Sequence, residues 1–452
     1  MKLLKLTALA VAICLLSTGC NTGSDSPENL LNDNIVYSES KNKLYTFVNQ
    51  SLDGTTLLLP NNVSEVGEIN EVDSNKIAFQ KKQDVNAKYT KVKVGFVLIS
   101  KNGEKYKLED SYLQEGDDIE YANFYDINND GKDEVVLLIR KDNATNMYVY
   151  SIKNNKIELI SEVKPTWLKN YSNFIDTKIK IGFLDDDLTL DILMMNYDIN
   201  SEKMYATILR YDKDNNISRS NTLEFNKVKN IKEVYTTNGK VSNDKKGIVI
   251  NIPSKKESGY NTQILTLEKD KLSKVFNDDK MIFNSYYVPV KDFNLDGILD
   301  LPVLNNNMIE NFSTNTTSSA LVTWKQWNNK YDDKADTIFI SQVYYNYKNN
   351  FRLFIQNNLA YKLYIQKSVA GETSFYTFYH YEKNDTEPIE IFQISISPKN
   401  IVEDAKTTPK MDTILAESDN NYYQLIINNK EIFESFNLTI ESMKESFSLI
   451  YK

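Results

Sequence analysis

Asp126, Asn128 and Asp130 stand at alternate positions, followed by Gly131, Lys132 and Glu134. Side-chain oxygens at that spacing, a main-chain carbonyl from Lys132 and a closing carboxylate from Glu134 make a donor set for a hard cation, and calcium takes about six to eight such oxygens. Gly131 allows the left-handed turn that returns the last donor to the first. An EF-hand would need a longer loop between two helices, whereas here an apolar β-branched run starts at Val135, so the flanks are strands. Asp292, Asn294, Asp296, the carbonyl of Ile298 and Asp300 repeat the pattern around Gly297, again with an apolar strand behind them from Leu301. Two structural calcium sites are therefore expected. The metal-free alternative is that Asp and Asn simply form Asx turns. A worn copy lies between the two, where Asp185, Asp187 and Asp191 match but Phe183 replaces the first ligand and Leu188 the glycine. This copy is expected to bind no metal.

Loops of this kind must be held by the strands on either side of them. Aligning the first residue of each following strand gives Ile77, Val135, Ile192, Ile248 and Leu301, at separations of 58, 57, 56 and 53 residues. A regular period of this length indicates repeated supersecondary units. With its two intact D-x-[DN]-x-D-G-x-x-[DE] loops, each followed by an apolar strand, the chain resembles the FG-GAP or VCBS repeats of integrin-α-type β-propellers and bacterial surface proteins. The period covers about residues 35 to 335, and the specific motif is carried by the loops at Asp126 and Asp292. The resemblance implies a propeller that binds protein or glycan, with calcium in a structural role.

The chain opens with Met1 to Lys5, a basic region, then an apolar stretch from Leu6 to Leu16, then Ser17-Thr18-Gly19-Cys20. This is a secretion signal. Gly19-Cys20 resembles the bacterial lipobox, which implies lipid attachment at Cys20 and a position on the extracytoplasmic face of a bacterial membrane; an ordinary cleaved signal peptide is the alternative. Loss of residues 1–19 leaves 433 residues, removes Cys14, and takes Lys2 and Lys5 away, so the net charge moves from −9 to −11. Cysteine chemistry is then excluded, and so acidic a surface repels nucleic acid. No other apolar stretch approaches the length of a membrane span. Residues 20–34, polar and rich in Asn, Ser and Asp, read as a flexible tether.

From residue 35 to 335, short β-rich runs alternate with polar turns: Lys43 to Val48, Thr55 to Leu59, Lys76 to Gln80, Val92 to Ile99, Met147 to Ile152, Lys156 to Ile160, Lys203 to Tyr211, Gly247 to Ile252 and Thr262 to Leu267. Asn102-Gly103, Lys153 to Asn155 and Lys213 to Asn215 supply the turn residues of hairpins. The expected fold is mainly β, a propeller of about five to seven blades with six as the best fit. Asn305 to Ser319 reads as a surface insertion. Residues 336–452 are expected to form an α+β sandwich, with strands over Ile338 to Tyr345, Phe351 to Ile355, Tyr361 to Ile365, Ser374 to Tyr381, Ile389 to Ile396 and Tyr422 to Ile427. Ile440, Met443, Phe447 and Ile450 recur at helical spacing, with Asn437 or Thr439 as the cap, and a second helix is placed at Ile401 to Ala405 or Lys410 to Glu417. Tyr347, Asn349, Phe351 and Leu353 faintly resemble the opening of PsbP-like domains.

Residues for other chemistry are sparse. His380, the single histidine, lies in an alternating strand with no nucleophile or zinc partner near it in sequence and reads as a packing residue. No serine stands in a Gly-x-Ser-x-Gly setting and no glycine-rich phosphate loop is present. The 29 tyrosines and three tryptophans fill strand faces or stack on sugars and partners. The expected function is binding or scaffolding of a protein or glycan ligand by a membrane-anchored lipoprotein. The rival readings are a glycan hydrolase or lyase, which requires a cleft with two carboxylates that are not metal ligands, and an accessory subunit of an envelope complex.

Overall fold

A computed structural model describes residues 47, 55–57, 71–72, 75–84, 91–102, 105–168, 175–310, 318–381, 387–400 and 411–451. The signal segment with Cys20, the tether and the helix placed at Ile401 to Ala405 lie outside the described residues. Of the strand expected over Lys43 to Val48, only Phe47 is described, and it is helical. The chain is mainly β, and the described residues form six antiparallel sheets, five of five strands and one of four. It divides into two compact units. The first takes in the described residues as far as Tyr125 with Asp133–Asp142 and Met147–Glu162, and the second takes Asp126–Lys132, Asn143–Asn146 and the described residues from Val163 onward.

In the first unit, Thr55–Leu57, Asn75–Asp84, Lys91–Asn102 and Lys105–Glu115 make one sheet in that order, with Glu71–Val72 beside Asn75–Asp84. Asp118–Tyr125, Glu134–Lys141, Ala144–Lys153 and Lys156–Val163 follow as the four-stranded sheet. Ile77, Phe79, Val94, Phe96 and Leu98 of the first sheet share a core with Ile119, Val135, Leu137, Ile139, Tyr148 and Tyr150 of the next. The hairpin Lys153 to Lys156 turns on Asn154 and Asn155 at φ 51 and 60, as two-residue hairpins with right-handed strand twist require.

The second unit continues the pattern. Ile175–Gly182, Asp191–Asp198, Lys203–Tyr211 and Ile217–Arg219 form the third sheet, with Leu223–Phe225 also paired to Lys203–Tyr211. Tyr235–Ser242, Lys245–Pro253, Tyr260–Glu268 and Lys271–Lys274 form the fourth, with Ile282–Asn284 against Tyr260–Glu268. Leu193, Met195 and Ile208 on the third sheet pack on Ile248, Ile250 and Leu265 on the fourth. The fourth sheet's other face, at Val241, Val249 and Ile264, packs with Leu301 and Trp327 of the fifth. Covered on both faces, the inner strand Asp191–Asp198 is buried at every residue, which explains a sequence that is not alternating. Chain-contiguous antiparallel sheets stacked face to face are the blades of a propeller-type architecture.

The fifth sheet corrects the expected division at residue 335. Its order is Leu301–Leu304, Ser319–Trp327, Thr337–Asn346, Phe351–Ile355 and Phe447–Leu449, so strands from both sides of that point pair directly. Among the described residues, four of the six sheets lie wholly between 35 and 335. Leu363–Ala370, Thr373–His380, Ile389–Pro398, Asn421–Ile426 and Ile414–Glu417 make the sixth sheet. Phe351 of the fifth sheet, fully buried, lies against Tyr344, Tyr376, Tyr423 and Phe447 with ring centroids 5.3 to 6.2 Å apart. Its truncation to alanine would open a cavity costing about 3–5 kcal/mol.

Two short helices complete this α+β sandwich. Lys430–Ser435, which the periodicity does not reveal, is capped by the Asn429 side chain accepting from Ile432 N–H. Ile440–Ser446 carries a capping box between Thr439 and Ser442, so Thr439 and not Asn437 is the cap. The expected helix ends there: Phe447 is extended and enters the fifth sheet, because its ring is buried by strand neighbours. Over Lys410 to Glu417, the described residues form a 3₁₀ turn at Met411–Thr413 and a strand from Ile414 rather than a helix.

Candidate metal centres

Asp292 opens a nine-residue loop that closes at Asp300, immediately before the strand Leu301–Leu304. The turn is folded by its own acids. Asp292 Oδ1 accepts the Asp296 N–H (3.1 Å) and Oδ2 the Gly297 N–H (2.8 Å), while Asp296 Oδ1 accepts the Ile298 N–H (2.8 Å). Leu295 and Gly297 take φ values of 62 and 86. Asp296 Oδ2 accepts from Gln326 Nε2 (2.8 Å) and Asn294 Nδ2 (2.9 Å). Partial burial opposes the Asp296 carboxylate, but these donors outweigh it and hold the group below its ordinary range. Asp300 is fully buried; its Oδ2 accepts the Phe293 N–H (2.7 Å), while its buried Oδ1 has no partner. Burial pushes this carboxyl up.

The loop that begins at Asp126 is built the same way. Asp126 Oδ1 and Oδ2 accept from Asp130 and Gly131 N–H (both 3.0 Å), Asp130 Oδ1 accepts from Lys132 N–H (3.0 Å), and Asn129 and Gly131 have φ of 58 and 89. Asn128, 2% exposed, donates to Asn215 Oδ1 (2.9 Å), and Asn215 occupies the left-handed turn position of the predicted hairpin at Lys213 to Asn215. Glu134 is buried at the first position of the strand Glu134–Lys141. The Asx turns of the metal-free alternative are thus present in both loops. Among the described residues no three acid, histidine or cysteine side chains are gathered as a ready metal cluster. The donor chemistry of the second loop nevertheless fits a hard cation: every available ligand is an oxygen, and one buried carboxylate oxygen has no protein partner. Asp292, Asn294, Asp296, the Ile298 carbonyl and Asp300 would hold it there, and the ion would neutralise their mutual repulsion.

The worn loop keeps part of this scaffold and replaces the rest. Leu184 N–H reaches Asp191 Oδ2 (3.1 Å), Asp187 N–H reaches Asp185 Oδ1 (3.0 Å) and Thr189 N–H reaches Asp187 Oδ1 (2.8 Å), matching three bonds of the Asp292 loop. Phe183 has no carboxylate to accept the remaining N–H groups, and Asp186 and Leu188, at the places of Leu295 and Gly297, stay out of the left-handed region. Leu188 is 86% exposed. In the middle of these acids lies the guanidinium of Arg210, which pairs with Asp191 through Nε, with Asp185 through Nη2 (2.5 Å), and with Asp187 and Asp270 (both 3.2 Å). Burial works against the Arg210 cation, but the Asp191 and Asp185 carboxylates outweigh it and hold it charged. A planar donor fork suits several carboxylates better than an ammonium would.

Register explains why Arg210 is there. Ile192 pairs with Leu209, which puts Arg210 opposite Asp191; Leu301 pairs with Lys325, which puts Gln326 opposite Asp300. The same place therefore carries a cation in one sheet and a neutral amide in the other. Neither residue stands out in the sequence, yet counting back across each hairpin from the last loop acid finds both.

A cleft of about 280 Å³ beside the worn loop is lined by Asp185, Asp186, Asp187, Asp244 and Glu268, together with Lys245 and Lys246. Its lining holds several carboxylates, as the hydrolase reading asks, but Glu268 is not set up as the general acid. Lys245 hydrogen-bonds Glu268 and holds its carboxyl low, whereas a general acid needs a raised value. His380 ends the strand Thr373–His380 with its ring 4.9 Å from that of Phe436, as a packing residue would.

No family model and no curated protein sequence matches the chain, so neither the FG-GAP or VCBS resemblance nor the PsbP-like one gains a family match. Among solved structures the chain is similar to the exotype rhamnogalacturonan lyase YesX, at 10% identity over 75% of this chain and 65% of the lyase, with a TM-score of 0.30. It is also similar to the β-propeller domain of the Trilobed protease from Pyrococcus furiosus, at 10% identity over 73% of this chain and 88% of that domain, with a TM-score of 0.25. The chain thus spans 65% of the lyase's length. These likenesses bear on neither the site nor the activity.

Proposed function

We propose that this protein is a lipid-anchored extracytoplasmic binding or scaffolding module of the FG-GAP/VCBS type, held to the bacterial membrane through Cys20 and stiffened by calcium in the loops at Asp126 and Asp292. The partnerless Oδ1 of Asp300 carries the metal part of this reading, since a buried carboxylate oxygen next to a neutral Gln326 lacks the countercharge that Arg210 supplies in the sister loop. The membrane part rests on the basic and apolar opening of the chain and on Gly19-Cys20.

Growth with labelled palmitate tests the anchor. The parent is expected to label and to partition into detergent, and Cys20→Ala to do neither; a Cys20→Ala protein that stayed labelled would overturn it. Recovery of partners from membranes, set beside a glycan screen, separates a ligand-binding module from an accessory subunit.

A further inference from the structure

One end of the fourth sheet presents an aromatic surface that the calcium loops do not use. Tyr235 pairs with Asn251, and Tyr260 pairs with Pro253 and Asn284, so both tyrosines stand at the end away from the Ser242–Lys245 hairpin. Tyr287 joins them from the segment beyond Asn284. The Tyr235 and Tyr287 rings stack at 3.9 Å and 20°, and Tyr260 lies 5.9 and 5.7 Å from the two. Tyr235 remains 39% exposed.

The polar groups at the edge of these rings are fixed in place. Glu233 accepts from Asn230 Nδ2 (2.8 Å) and from the Tyr260 hydroxyl (3.4 Å), and pairs with Lys229 at 3.5 Å. Lys178 Nζ donates to the carbonyls of Lys232 (3.1 Å) and Val234 (2.8 Å) and lies 6.0 Å from the Tyr235 ring centre. Glu233 has its counterion in Lys229 and Lys178 is already held by two main-chain carbonyls, so the surface suits a neutral ligand. The chain's net acidity disfavours a phosphate-bearing one.

From this geometry we infer that the Tyr235–Tyr260–Tyr287 surface binds a neutral pyranose chain. The C–H face of a pyranose is weakly positive and suits the negative face of an aromatic ring, while its hydroxyls find the Glu233 carboxylate and the tyrosine hydroxyls. Rings that already pack on one another lose little freedom on binding. This inference rests on the binding-module reading and gives it a site and a ligand class.

The test is affinity electrophoresis and calorimetry of the full mature protein with chitohexaose and maltohexaose. At least one is expected to bind, and Tyr235→Ala and Tyr287→Ala to weaken it roughly tenfold or more. Tyr235→Phe, which keeps the ring, is expected to retain most of the affinity, and Tyr381→Ala, just past the strand Thr373–His380 of the sixth sheet, all of it. Melting curves identify any variant that fails to fold. A folded parent that binds neither sugar, or binding untouched by both alanine variants, overturns the inference. Capture of a protein partner that the same variants abolish, with no sugar bound, overturns the glycan assignment and leaves the binding-module reading standing.

Discussion

The loops closing at Asp191 and Asp300 start from the same ladder of main-chain bonds and the same buried final acid, yet they settle their charge in different ways. One has a guanidinium of its own. The other has at that place Gln326, a neutral amide that brings no countercharge to the buried acid. On the proposed calcium reading the guanidinium of Arg210 takes the place of the ion, and Phe183 and Leu188 stand where the other loop has its first ligand and its glycine. The contrast also ranks what each change should cost.

The largest effect is expected from Arg210→Gln. It leaves Asp191 buried without its partner, and breaking such a pair costs about 3–5 kcal/mol. Denaturant unfolding measures the loss; calcium should recover little of it, because Phe183 and Leu188 offer neither ligand nor left-handed turn. Full recovery by millimolar calcium would mean that the worn loop keeps its metal chemistry.

Next is the calcium response of the parent. An ion that binds the folded loop alone stabilises it by RT ln(1 + [L]/Kd), about 2.7 kcal/mol per site at a hundredfold excess over Kd. Thermal unfolding is expected to shift upward with calcium and downward with chelator. Asp130→Ala and Asp296→Ala should each remove about half of the shift, and Asp187→Ala none. A parent indifferent to both additions would leave the loops as Asx turns only.

Gln326→Arg, the smallest and sharpest test, transplants the worn loop's solution into the intact loop. It is expected to add about 1 kcal/mol of stability in chelator, as a partly buried charge pair does, and to abolish the calcium response of that loop. A variant that still responded in full would show that the facing residue does not govern the choice.

Much of this was legible beforehand, because metal-type loops and central strands write themselves into short windows. Alternating or continuous apolar runs marked most of the inner strands, and the period of the strand starts marked the sheets. Strands such as Lys105–Glu115 and Tyr235–Ser242 escaped notice because they are edge strands whose residues are mostly polar and only half-buried. Arg210 and Gln326 escaped it because their role depends on cross-strand register. The division at residue 335 was misplaced for a related reason: pairing between Ser319–Trp327 and Thr337–Asn346 leaves no mark on composition. Phe447 looked helical by spacing, and only its partner strand makes it extended.

That last strand bears on how the molecule is made. Phe447–Leu449 pairs with Phe351–Leu353, residues 94 to 98 positions earlier, so the fifth sheet waits for a segment that leaves the ribosome well after its partner. Until then Phe351–Ile355 is an unguarded edge with apolar side chains, the kind of edge on which chains aggregate or are cut. A protein tethered early by its N-terminus would wait in that state at the membrane surface, within reach of chaperones and proteases, and a translation product ending short of residue 447 would never leave it.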